Sequence, residues 1–240
     1  MVAQLKGGCR NVQKPRQRFS AYKHFAARFG LGRVALAMAL ALLWSNGALA
    51  AEPRVLLLRG WFGLFSTGLD GLADELKAKG IDAEVAGHLA WETEVSDIVR
   101  DRAAGKIEPI VLIGHSQGAN NVIDMARALQ KRSVRVDLLV TLAPFMQDPI
   151  PANVMRAINY YQSPGWGAPL STDVGFHGKL SNVDVSNDWT VTHVSIDKSQ
   201  RIHEEIVREI DALAHTKEGA AGAADTALSR NRPAGESVPR

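Results

Sequence analysis

Gly114-His115-Ser116-Gln117-Gly118 places a serine two residues from a glycine on either side. In such a G-x-S-x-G turn the small flanking residues let the chain bend sharply, forcing the serine into a strained conformation with its hydroxyl projecting from the backbone. A serine hydroxyl is a weak nucleophile unless a base takes its proton. Where this turn is catalytic, an acid and then a histidine follow along the chain. His193, in Val191-Thr192-His193-Val194-Ser195-Ile196-Asp197, meets that order. His177 lies nearer a glycine-rich turn, His203 and His215 fall on or after the last helix, and His115 points away from the substrate if Ser116 points towards it.

A third group should orient the imidazole. Asp148, in Ala143-Pro144-Phe145-Met146-Gln147-Asp148-Pro149, follows the strand next to the serine's strand and is the first choice. Asp173 in the following long loop, and Asp184 and Asp188 close to His193, are the alternatives. The oxyanion of an acyl intermediate needs backbone donors. The amide of Gln117 supplies one, and the loop Arg59-Gly60-Trp61-Phe62-Gly63 after the first strand offers another at Trp61, with Phe62 next. Gly60 lets that backbone pass close to a substrate. Trp61, Phe62 and Phe65 could line an acyl pocket, whereas His88 and Trp91 read as structural.

The elements that hold these residues alternate between apolar runs and helical periods. Strands are expected at Arg54 to Arg59, Ile81 to Ala86, Pro109 to Ile113, Val134 to Leu142, Val154 to Gln162 and Leu180 to Ser186. Helices are expected at Gly71 to Lys79, Glu92 to Ala104, Asn120 to Lys131 and Ser199 to Ala214. Pro109-Ile110-Val111-Leu112-Ile113 is unbroken and apolar, as a strand covered on both faces should be. The pattern predicts an α/β fold with a doubly wound, mainly parallel sheet of about six strands flanked by helices. Its site should lie at the carboxyl ends of the strands.

The chain has 240 residues, 46% hydrophobic and 22% charged, enough for one domain with a sizeable core. Its net charge of +3 and pI near 9.1 do not point to nucleic acid, because the excess is confined to the start. Residues 1–50 hold eight bases and no acid; residues 51–240 hold 20 bases against all 25 acids, a balance of −5. The basic block precedes an apolar run from Val34 to Leu43 and then Ala48-Leu49-Ala50, the form of a secretory signal peptide with a long basic n-region, cleaved before Ala51. The apolar run is about ten residues where a spanning helix needs about 20, so no membrane anchor is expected after cleavage. Cys9, the one cysteine, falls in the removed segment, which fits a periplasmic or secreted protein. Residues 51–215 are expected to form the domain and 216–240, rich in Ala, Gly, Ser and Arg, a disordered tail.

Over about Arg54 to Leu213 these residues resemble the α/β-hydrolase superfamily, within it the small cap-less lipase, esterase and thioesterase-like members. The likeness rests on Gly114 to Gly118, the Gly60-Trp61 loop and His193. It implies cleavage of carboxylic esters or thioesters, small or lipid, through an acyl-enzyme on Ser116, with no metal or cofactor. Arg59 stands where relatives carry His, and Ala143 stands before Pro144 where lipases with a strand-end acid carry Asp. The alternative is an exported binding protein that keeps the fold without turnover. A patatin-like Ser–Asp arrangement would want a glycine-rich oxyanion loop and a downstream Asp-Gly pair, and neither follows Gly118.

Overall fold

In the computed structural model residues 51–61, 63, 66–213 and 215 are described; the expected signal peptide, the tail 216–240, Phe62 and Phe65 lie outside the described residues. Strand β1 (Glu52–Arg59) begins the fold, with Val55, Leu56, Leu57 and Leu58 all fully buried. Helix α1 (Gly68–Ala78) buries Leu69, Leu72, Ala73 and Leu76, spaced as one helical face. There follow β2 (Ala83–Gly87), a 3₁₀ turn at His88–Ala90, α2 (Trp91–Ala103), β3 (Ile107–His115) and α3 (Gln117–Gln130). The chain closes with β4 (Leu138–Leu142), β5 (Arg156–Tyr161), β6 (Lys179–Asp184), a 3₁₀ turn at Ile196–Lys198 and α4 (200–213).

The six strands form one sheet in the order β2-β1-β3-β4-β5-β6, every neighbouring pair parallel. Alternate residues of β1 enter opposite layers. Val55 and Leu57 pack with Leu69, Leu72 and Leu76 of α1 and Ile202, Ile206 and Ile210 of α4, while Leu56 and Leu58 pack with Ile98 of α2 and Val122, Ile123 and Leu129 of α3. Helices thus cover both faces, which is why the central strands read as continuous apolar runs. From β1 the chain runs outward to β2 and returns to β3 on the other side of β1, so strand order reverses between β1 and β3. The crevice outside such a switch point is where ligands bind in open α/β sheets. Gly60 leaves β1 and Ser116 leaves β3 at that point.

Of the boundaries that differ from the sequence reading, two follow from the local backbone. Helix α3 starts at Gln117, three residues early, because the turn at Ser116 leads straight into it. The strand expected from Val134 starts at Leu138: Ser133 has φ 55°, and Val136 makes only an isolated bridge to Val154. Among the described residues no helix is long and apolar enough to cross a membrane.

Candidate active site

Ser116 has φ 58° and ψ −121°, a backbone conformation that costs a non-glycine residue energy. It is held by its neighbours: the Ser116 amide donates to the Leu142 carbonyl at 2.9 Å, tying the turn to the end of β4. Both flanking glycines are required by space. A Cβ on Gly114 would lie 2.3 Å from the Gly118 carbonyl oxygen, and one on Gly118 would lie 2.2 Å from that of Leu58. Their absence of side chains lets α3 pack directly over the ends of β1 and β3. Ser116 itself keeps part of its surface in solvent.

The structure brings His193 to this serine, with Nε2 3.1 Å from Ser116 Oγ. For the hydroxyl to donate, Nε2 must accept, so the ring's proton sits on Nδ1. Nδ1 is buried and has no hydrogen-bond partner among the described residues. Burial and the adjacent His115 lower the His193 pKa to about 4, offset in part by the Asp197 carboxylate.

His115 turns away from Ser116, as expected, but it serves the site from behind. Its Nε2–H donates to the His193 carbonyl at 2.8 Å, leaving Nδ1 to accept from Ser66 Oγ–H at 2.8 Å, while Ser66 Oγ accepts the Gly60 amide at 3.0 Å. This chain fixes the neutral Nε2–H tautomer, and burial lowers the His115 pKa, which keeps the ring in that neutral form. One buried imidazole thereby links the loop after β1 to the loop carrying His193.

Gln117 opens α3, so its amide is among those a helix leaves without an intrahelical acceptor. It lies where the helix dipole favours negative charge. On the other side, a Cβ at Gly60 would stand 3.0 Å from Ser116 Cβ and 3.1 Å from the His115 carbonyl oxygen. The Gly60-Trp61 backbone therefore passes against Ser116, where a second donor is needed. The Gly60 amide is taken by Ser66, so it is not free for that role; Trp61 follows it in the loop, and Phe62, the other expected donor, lies outside the described residues.

The expected acid does not join the pair. The Asp148 carboxylate accepts from Asn120 Nδ2 at 2.7 Å, and Asn120 also binds the backbone of Phe145 and Met146, so Asp148 belongs to a bracket holding this loop on α3. Asp173 lies 3.6 Å from Arg127, Asp184 accepts the amides of Ser163 and Ser186, and Asp188 binds Thr190. Each carboxylate is satisfied near its own loop, and none is hydrogen-bonded to His193.

Two neighbours of His193 went unassigned in the sequence. Trp166 stacks on the imidazole, with ring centroids 4.3 Å apart and planes 29° apart. Its flanking glycines, in Gly165-Trp166-Gly167, are the signal that could have marked it. Asp197 lies four residues beyond His193 and is fully buried. One of its carboxylate oxygens accepts the Gly68 amide at 2.8 Å, at the start of α1, and the other has no partner among the described residues. His88 is half-buried in its 3₁₀ turn and Trp91 packs against the core, both away from Ser116's hydrogen bonds. No group of three or more metal-ligating side chains is found among the described residues.

No family model and no curated protein sequence matches the chain. Among solved structures it is similar to a protein from Xanthomonas campestris pv. campestris described as a hydrolase of the alpha/beta superfamily, at 18% identity and a TM-score of 0.36, over 66% of this chain and 99% of that one. It is also similar to the NocB thioesterase domain from the nocardicin cluster, at 13% identity and a TM-score of 0.43, over 69% and 95%. At these scores neither likeness bears on the chemistry, and it is the chain's own parallel sheet and strand–serine–helix turn that have the form of the α/β-hydrolase fold.

Proposed function

We propose that the protein is a serine hydrolase that cleaves carboxylic esters or thioesters through an acyl-enzyme on Ser116. The observation that carries this reading is the 3.1 Å approach of His193 Nε2 to a serine hydroxyl held at φ 58° at the switch point of the sheet. His193 takes the proton as Ser116 attacks the carbonyl carbon, and the amides of Gln117 and Trp61 receive the developing oxyanion. His193 then returns the proton to the leaving alcohol or thiol, and water, activated by the same imidazole, releases the acid. The substrate in this reading is a small or lipid ester or thioester, and the signal-like segment 1–50 supports a reaction outside the cytoplasm.

The test is turnover of p-nitrophenyl esters and labelling by a fluorophosphonate, with Ser116→Ala as control. Wild-type protein should label and turn over, and the variant should do neither. The bare Nδ1 of His193 favours a second reading, an exported binding protein with the same fold. Wild-type protein that neither labels nor hydrolyses any ester would select it.

A further inference from the structure

We propose that Trp166 is a positioning residue for His193: its indole, lying on the imidazole, holds Nε2 on Ser116 in place of a carboxylate on Nδ1. The inference rests on the hydrolase reading above. In a Ser–His–acid triad the acid fixes the plane and tautomer of the ring. Here no acid among the described residues is hydrogen-bonded to Nδ1, yet the ring is aimed at Ser116, so something else limits its rotation.

Among the described residues, the side chain placed to do so is the stacked indole. At 4.3 Å and 29° the two rings are in face contact, and rotation of the imidazole about its Cβ–Cγ bond would drive its edge into the indole. An orienting wall must itself be held, and the backbone that carries Trp166 is. Gly167, at φ 81°, sits so close to Tyr161 and Ala143 that a Cβ there would lie 3.1 Å from Tyr161 Cβ and 3.5 Å from Ala143 Cα, seating the turn on the ends of β5 and β4. The Gln162 amide donates to the Trp166 carbonyl at 3.0 Å and closes the turn. Gln162 Nε2 donates to the Val191 carbonyl at 2.8 Å, so the turn also grips the loop that carries His193. The wall and the ring share one frame.

The imidazole is also faced by His115, 5.1 Å away and tilted 42°, and is within the electrostatic reach of Asp197. His115 binds the His193 backbone rather than its ring nitrogens, so it places the residue without setting the ring plane. The Trp166 face adds a second effect, since it keeps water from one side of the ring.

The experiment compares Trp166→Ala and Trp166→Phe in ester turnover and in the His193 titration followed by NMR, with a thermal melt for each. Trp166→Ala should lower kcat about tenfold or more and leave KM within about threefold, and it should raise the His193 pKa by about one unit as water reaches the ring. Trp166→Phe keeps a flat face and should recover most of both. A loss confined to KM, an unmoved His193 titration, or failure of Phe to restore either quantity would overturn the proposal. The titration needs no turnover, so it judges the stacking role even where the wild-type protein proves inactive, and the fluorophosphonate result judges the hydrolase reading separately.

Discussion

An imidazole with a pKa near 4 is neutral, and therefore able to act as a base, over almost the whole range in which the protein would work. Burial is the main cause, His115 adds to it, and Asp197 opposes it. The base form exists above the folded pKa, so kcat/KM should rise along a single acid limb centred near pH 4 and stay level through neutrality. An acid limb near pH 6.5, the ordinary value for histidine, would show that His193 is not held as described. Stability has the same sign: His193 binds its proton more readily when unfolded, so its contribution is present above about pH 6.5 and lost as pH falls towards 4. Asp148→Asn should leave turnover within about threefold of wild type, because the Asp148 carboxylate bonds to Asn120 and not to His193. A loss comparable to that of His193→Ala would return Asp148 to the site. Ser116 and His193 were legible in the sequence because motif and order along the chain name them. The acid was not, because an aspartate's partner is decided by loop geometry that spacing does not encode. Four candidates near the right strand ends were each claimed by amides, an amide side chain, a hydroxyl or an arginine close to their own loops.

At the scale of elements, the site is an intersection of loops after β1, β3, β5 and β6, held together by pieces that have little chemistry of their own. The strands were readable from unbroken apolar runs and the helices from their buried faces. Their ends were less so, since Ser116 starts α3 by its strained turn and Asp197 accepts an amide from the far-off first turn of α1. The His115 link shows how much rests on one buried ring. His115→Phe removes the bonds to Ser66 and to the His193 carbonyl and leaves the buried Ser66 hydroxyl without its acceptor, so it should cost about 1–3 kcal/mol in urea denaturation. It should also lower turnover, as the two loops lose their common tie. Stability equal to wild type would show that the link carries no load. Gly118→Ala should be worse still, since its Cβ would meet the backbone carbonyl of Leu58 at 2.2 Å and α3 would have to leave the sheet.

On the scale of the whole molecule, the sheet spends its apolar residues on two covered faces, yet large apolar side chains remain exposed around the switch point. Trp61 and Phe145 are each about half exposed and their rings lie 5.8 Å apart; Met146 and Val194 are similarly open, and Trp166 shows its outer side. Trp61 adjoins the backbone against Ser116, and Val194 follows His193, so this surface rims the nucleophile. Trp61 was anticipated as an acyl-pocket residue; Phe145 was not, because only the fold brings the end of β4 beside the loop after β1. Each methylene moved from water onto such a surface is worth up to about 0.8 kcal/mol, so an octanoyl ester should be preferred over an acetyl ester. Replacing both Trp61 and Phe145 by serine should lower kcat/KM for the octanoyl ester about tenfold or more and change the acetyl ester by less than about threefold. Equal losses on both esters would mean that the two rings support the loops rather than the acyl chain, and the exposed rim would then have no part in choosing the substrate.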